Sequence, residues 1–245
     1  MQVAREPRSN AERTGATRQA LLAAARSLFV LKGFAQTSTP EIVASAGLTR
    51  GALYHHFRDK TDLLRELLEQ EARAVAADIE TAATAQMPPQ QALRAGSAAY
   101  LGAMQVPGRT RLLLVEGPAV LGLAAMRALD SAHAERTLME GLSAAMNGSR
   151  AAGQGVARSR ESIGGSKEPG LRQEPGLRQE PGLRLAIAPL TVLLSAAFDR
   201  AALAIDAGED AAVYESTLVG IIDRILDHER SVPSGKSRPS RSSRP

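Results

Sequence analysis

The chain has no cysteine and no tryptophan, and its aromatic residues amount to 3% of the sequence. Without thiols there is no disulfide framework, no thiol nucleophile or redox switch, and none of the usual thiolate zinc ligation. That fits a reducing compartment, and a cytoplasmic location is expected. No run approaches the roughly 18 uninterrupted apolar residues of a membrane span, and the arginine-bearing N-terminus has no apolar stretch of signal-peptide length. A membrane is therefore not an expected partner. Also missing are β-branched alternation, a glycine-rich phosphate loop after a strand, metal-ligand spacing and a nucleophile elbow, and the histidines are poorly spread for acid–base work. No catalytic residue, cofactor or metal ligand is assigned.

What remains is a chain that is 44% hydrophobic, dominated by alanine and leucine. Helical periodicity recurs almost throughout, which predicts an all-α fold with enough length to bury a substantial core. The net charge is +4, and the positive excess lies outside residues 186–228, a stretch that is itself acidic. Such asymmetry suits one face for DNA and another for something else.

Residues 37–64 read as two short capped helices across a tight turn and the start of a third. Ser38 and Glu41 have the spacing of a capping box, so a helix is predicted to start at Ser38. Ile42, Val43 and Ala46 give it an apolar face, and Gly47 supplies the left-handed residue that ends it. Thr49 caps the next helix, where Leu53 and Phe57 lie four apart and turn inward, leaving Arg50, Gly51, Ala52, Tyr54, His55 and His56 on the remaining surface. Asp59 caps a third helix and puts Lys60 in its first turn, where phosphate oxygens are readily held. The pattern is a helix-turn-helix, with double-stranded DNA as the expected partner. His55 and His56 splay about 100° apart on a helix with no third ligand near in sequence, so they are not read as a metal site.

The run Ile42-Val43-Ala44-Ser45-Ala46-Gly47-Leu48-Thr49-Arg50-Gly51-Ala52-Leu53-Tyr54-His55-His56-Phe57, followed by Lys60, closely resembles the DNA-binding segment of TetR-type regulators. The likeness extends upstream from Thr17 to Gly33-Phe34, similar to that family's first helix and its glycine–aromatic exit, so it covers residues 17–64. Pro40 stands where the family usually has a backbone N–H, and in a first turn that donor has no intrahelical partner. Val43 in place of the usual alanine is a milder departure. The resemblance implies that Thr49, Arg50, Gly51 and Ala52 approach base edges, that Tyr54, His55, His56 and Lys60 contact backbone or neighbouring bases, and that Thr37 and Ser38 lie near phosphate. The chemistry agrees: Arg50 can fork onto guanine, Gly51 permits close backbone approach, and Ala52 can meet a thymine methyl.

Beyond the head, residues 65–228 are expected to form a helical body for effector binding and dimerisation. A helix over 60–85 ends at Met87-Pro88-Pro89, another spans 90–105, and a short one spans 109–116 before a break at Gly117-Pro118 and a longer helix over 118–146. Residues 111–122 resemble a segment from the ligand-binding half of one TetR-type subgroup. Helices over 188–205 and 211–228 carry apolar stripes, Leu190, Leu193, Leu194 and Ala197, then Leu218, Ile221, Ile222 and Ile225, suited to a homodimer seam. Between them, 147–185 is expected as a flexible loop, since Glu-Pro-Gly-Leu-Arg-Gln occurs at 168–173 and again at 174–179. Residues 1–16, with Arg5, Arg8 and Arg13, are expected as a disordered arm and 229–245 as a disordered basic tail.

For a small-molecule effector, the candidates are Tyr100, Met104, Arg111, Glu116, Met126, His133 and Phe198, with Leu101, Leu113, Leu129 and Met139 as further apolar wall. So few aromatics disfavour a flat aromatic cage and prefer a small or aliphatic ligand. The expected function is that of a ligand-responsive repressor acting as a homodimer on a palindromic operator. The alternatives are an architectural DNA binder without effector and, with less support, a helical enzyme.

Overall fold

The computed structural model describes residues 10–163 and 185–231, and every regular element among them is helical. Helix α1 spans Asn10–Lys32 and therefore begins inside the stretch expected to be a loose arm, with Arg13 already helical. Arg5 and Arg8 lie outside the described residues. Its inward face buries Leu21, Leu22, Ala25 and Phe29. Helices α2 (Thr39–Ser45) and α3 (Arg50–His56) are too short to persist alone, since an isolated helix below about 12 residues is marginal in water. They are held by their caps and by Ile42, Leu53 and Phe57, all buried against α1 and α4 (Lys60–Ala82).

α4 belongs to both halves of the molecule. Leu63 and Leu64 close the head core, and Leu67, Leu68, Ala72, Val75 and Ile79 carry the same apolar cluster into the body, reaching Met104, Leu112 and Leu113. The expected boundary between residues 64 and 65 thus falls inside one rod with a continuous core.

In the body, α5 spans Pro89–Met104. The next segment runs as one rod: α6 (Arg109–Arg111), a π-helical turn (Leu112–Glu116) and α7 (Gly117–Leu121). The break expected at Gly117-Pro118 does not occur. Proline interrupts a helix because it lacks the N–H owed to the i−4 carbonyl and crowds that carbonyl. Here the Gly117 N–H already reaches back to the Leu112 oxygen, so the register has widened before Pro118, which enters in the first turn of α7. The break comes at Gly122 instead, at φ 84° and ψ 159°, a conformation essentially confined to glycine.

The single helix expected over 118–146 is consequently divided into α7, α8 (Leu123–Ala132) and α9 (Ala134–Ile163), with a bend at His133. α9 runs well into the expected flexible loop. No proline interrupts residues 147–163, and the helix propagates from a turn already anchored by buried Leu142, Ala145 and Met146. The Glu-Pro-Gly repeats and the basic tail beyond Ser231 lie outside the described residues.

α10 (Ile187–Asp206) and α11 (Ala211–Ser231) complete the body. Their inner faces join α5 and α9 in a second apolar cluster that includes Leu93, Leu142, Phe198, Leu218 and Ile222. α10 is long and apolar enough to cross a membrane by length and composition; 28% of that stretch is buried in the body, through Thr191, Leu194, Phe198, Ala201 and Ala202. The two expected seams divide: Leu194, Leu218 and Ile222 are used internally, whereas Leu193 and Ile221 stay exposed.

Candidate nucleic-acid interface and body cavity

The head is fixed by local chemistry at each joint. Glu41 Oε2 accepts from the Ser38 N–H at 2.8 Å and from its hydroxyl at 2.7 Å, and Lys32 pairs with the same carboxylate. The Lys32 and Ser38 hydrogen bonds lower the Glu41 pKa to about 2. At the end of α2 the Gly47 N–H donates to Ala44 O and the Leu48 N–H to Val43 O, the double closure of a Schellman turn, with Gly47 at φ 65°. Two residues on, Thr49 Oγ1 accepts from the Ala52 N–H at 3.2 Å, and Asp59 Oδ1 accepts from the Asp62 N–H at 2.7 Å to start α4.

With Leu53 and Phe57 turned inward, the outer face of α3 is left to solvent. Ser38, Thr49, Arg50, Gly51, Tyr54 and His55 are exposed, and Ala52 and His56 half-buried. The Arg50 guanidinium lies 5.5 Å from the Tyr54 ring centroid, a stacking that holds a long cation without consuming its donors. His56 turns toward α1, where burial, then His55 and Arg18, lower its pKa, so a neutral ring is favoured there.

Two expected DNA contacts are placed otherwise. Thr37 is buried, and its hydroxyl donates to Gly33 O at 2.8 Å. Lys60 donates from Nζ to Phe34 O at 2.8 Å and to Thr37 O at 2.7 Å, and stands 4.0 Å from the Phe34 ring centroid. Its ammonium closes the α1–α2 loop from below, so its donors are engaged within the head rather than left open for a phosphate. The reason is geometric: α4 starts beneath that loop, whose Phe34 and Thr37 carbonyls lie within hydrogen-bond reach.

The body contains a cavity of about 300 Å³ lined from α4, α5, the π turn, α8 and α10. Tyr100, Met104, Met126 and His133 meet there, with Leu113 and Leu129 in the wall. Phe198 instead joins Tyr100 at a neighbouring cavity of about 190 Å³ between α4, α5, α9 and α10. Leu101 is buried in the second cluster and Met139 is exposed.

Arg111 and Glu116 do not line the larger cavity. Arg111 Nη2 donates to Glu116 Oε1 at 3.1 Å, Arg111 Nη1 to Val30 O at 3.4 Å, and Glu116 Oε2 accepts from the Phe34 N–H at 3.2 Å. Both reach from the rod of α6 and the π turn to the end of α1, so they join body to head. A deeper tie lies beside them: Glu71 accepts from Arg26 Nε at 2.6 Å and from Arg109 Nε at 2.7 Å. Burial alone would raise the Glu71 pKa, but the two guanidinium groups hold it below the usual carboxylate range.

Two residues in the cavity wall were missed by sequence reasoning, Asp130 and Asp199. The Tyr100 hydroxyl donates to Asp199 Oδ1 at 2.6 Å, and the Ser195 hydroxyl donates to Asp130 Oδ2 at 2.9 Å. Burial, together with Asp130 and Glu135, pushes Asp199 up to about 6 despite the Tyr100 hydrogen bond. Burial and Glu135 likewise raise Asp130, and burial with Asp199 raises Tyr100. A signal was present: Thr191, Ser195 and Asp199 recur every fourth residue on a helix rich in apolar residues. Among the described residues no three metal-ligating side chains converge.

Residues 21–67 match the sequence profile of the bacterial regulatory proteins of the tetR family. The chain is similar to the transcriptional regulator AcrR of Shigella flexneri, with 51% identity over 53 residues, 22% of this chain and 25% of that one. It is similar to the transcriptional repressor BepR of Brucella suis, with 44% identity over 52 residues, 21% of this chain and 25% of that one. The chain thus matches about a quarter of the length of these curated relatives. Over the whole molecule it follows the fold of a TetR-family regulator from Pectobacterium atrosepticum, with a TM-score of 0.56 and 25% identity, covering 93% of this chain and all of that one. The head thus carries the DNA-binding domain described for the tetR family, and the body follows the fold of solved regulators of that family.

Proposed function

We propose that the protein is a cytoplasmic transcriptional repressor that binds a palindromic operator as a homodimer and is released by a small-molecule effector bound in its body. The observation that carries this reading is the fully capped head, which presents Thr49, Arg50, Gly51, Tyr54 and His55 together on the open face of α3. In this reading Arg50 reads a base edge, Gly51 lets the backbone approach, Ala52 meets a methyl group, and Ser38, Tyr54, His55 and His56 serve backbone or neighbouring bases.

One such helix reads few base pairs, which is why a two-fold dimer is invoked. Exposed Val192 and Leu193 on α10, with Val213 and Ile221 on α11, are the surface offered to a second copy. Two heads then meet half-sites about 34–36 Å apart, or a multiple of that distance.

The effector step rests on continuity between cavity and head. Leu113 and Leu114 of the π turn line the larger cavity, while Arg111 and Glu116 of the same rod hold Val30 O and the Phe34 N–H. A ligand that prefers one position of this rod shifts the population of head spacings, provided its affinity for the two states differs. Footprinting upstream of the protein's own gene tests the reading: one protected palindrome with two half-sites supports it, and continuous coverage favours an architectural binder.

A further inference from the structure

We propose that the 300 Å³ cavity takes an amphipathic organic cation, its ammonium group held between Asp130 of α8 and Asp199 of α10 and its apolar part against the methionine and leucine wall. The proposal rests on the reading of this cavity as the effector site and adds the chemical class of the ligand.

The wall sets the apolar requirement. Met104, Leu113, Met126 and Leu129 are aliphatic and adaptable, suited to a chain or alicyclic body rather than a flat ring stack. The charge requirement comes from the corner opposite. Ser195 and Asp199 lie four apart on one face of α10, and the Ser195 hydroxyl draws Asp130 to the same face. Tyr100 supplies a hydroxyl donor to Asp199 but no charge. Glu135 adds a third carboxylate nearby, and the neighbouring cationic candidate, His133, gives its Nε2 to Glu69 at 2.9 Å. Arg127 is exposed at the rim and forms no ion pair among the described residues. His133 offsets part of the Asp130 charge while it is held by Glu69; beyond that the two half-buried carboxylates repel each other, and charge left undercompensated in an apolar site is costly.

The helix that carries Asp130 is built to move. α8 has no buried residue, starts at Gly122 in a conformation open to little but glycine, and ends where the helix breaks at His133. It lies over the cavity through Leu123, Met126, Leu129 and Asp130. Without ligand, repulsion between Asp130 and Asp199 opposes the Ser195 hydrogen bond that ties this strap to α10. An ammonium between them turns one repulsion into two attractions and draws the strap closed, whereas a ligand carboxylate would add a further negative charge.

The test uses the full chain near neutral pH with three probes of equal chain length, decylammonium, decanol and decanoate, below their micellar range. Calorimetric titration is expected to give decylammonium at least about tenfold tighter binding than either other probe. Asp130→Asn and Asp199→Asn are each expected to remove most of that preference, without lowering the unfolding midpoint of the unliganded protein, since each relieves the repulsion. Equal or tighter binding of decanol or decanoate overturns the proposal, as does a preference retained in both variants or a midpoint lowered in both. Operator titrations separate the two readings. Decylammonium that binds through the aspartates but leaves DNA affinity unchanged retires the effector role and keeps the ligand class. Decanoate or decanol releasing DNA keeps the effector role and overturns the class.

Discussion

Head and body solve opposite problems with the same material. The head presents a convex site: α3 puts polar side chains into solvent, and the caps that start and stop its short helices lie within a few residues in sequence. The body presents a concave site, assembled from α4, α5, the π turn, α8 and α10, whose wall residues range from Ala72 to Leu203. A site made by local spacing can be read along the chain, and a site made by convergence cannot. The two are joined by buried charge, Arg26, Glu71 and Arg109, where α1, α4 and α6 meet.

The sharpest way to break the contrast is to cut that joint. Glu71 and Arg109 are 6% and 8% exposed, so Glu71→Ala leaves a buried guanidinium with the Ala103 carbonyl at 2.8 Å and Asp78 at 3.7 Å. Removing one partner of a buried pair costs about 3–5 kcal/mol. Urea unfolding followed by separate probes in head and body should show both halves losing stability together. Loss confined to the body would mean that α4 does not unify the two cores.

A second variant tests whether Lys60 belongs to fold or to DNA. Its two carbonyl bonds are charge-assisted, and burial lowers its pKa, so Lys60→Ala should cost about 2 kcal/mol of stability, since hydrogen bonds to charged groups are worth about 1.5–3 kcal/mol. The salt slope of operator binding should stay as it is. A flattened slope with unchanged stability would return Lys60 to the phosphate contacts. Arg50→Ala is its mirror image: no change in the unfolding midpoint, but about 1–3 kcal/mol weaker operator binding and relaxed preference at one base pair. Gel-shift titration at two salt concentrations distinguishes the pair, and unchanged affinity removes Arg50 from the readout set.

These variants also mark where sequence reasoning reached its limit. Caps at Thr49 and Asp59, the Gly47 turn and the inward Leu53 and Phe57 are local, and each is found as the spacing predicted. The bonds Lys60 makes within the head were not legible, because its partners, the Phe34 and Thr37 carbonyls, lie more than twenty positions away in a loop whose path no periodicity encodes. Pro118 misled in the other direction: proline ordinarily ends a helix, and a π turn upstream absorbs it. Arg111 and Glu116 looked like polar anchors of a pocket, but they are on the side of the rod that faces α1. Asp130 and Asp199 come from helices far apart in sequence, and only their packing makes them neighbours.

That pairing gives the smallest of the expected effects, read in pH. Asp199 is raised to about 6 in the folded protein, so between its unfolded value and that point the native state holds more protons than the unfolded chain. Stability from this group is therefore highest below pH 4 and declines as pH rises to about 6. The groups facing it are Tyr100 from α5, Asp130 and Arg127 from α8, His133 at the bend after it and Glu135 on α9. Because these titrate too, the informative quantity is the difference between the parent and Asp199→Asn. That difference should favour the variant by about 1 kcal/mol at neutral pH, the full shift being discounted for solvent reaching a half-buried carboxylate, and should vanish as pH falls toward 4. Chemical denaturation at several pH values measures it. A variant less stable than the parent at every pH would mean that the Tyr100 hydroxyl values the carboxylate more than the cavity penalises it, and the body site would then be structurally satisfied without a ligand.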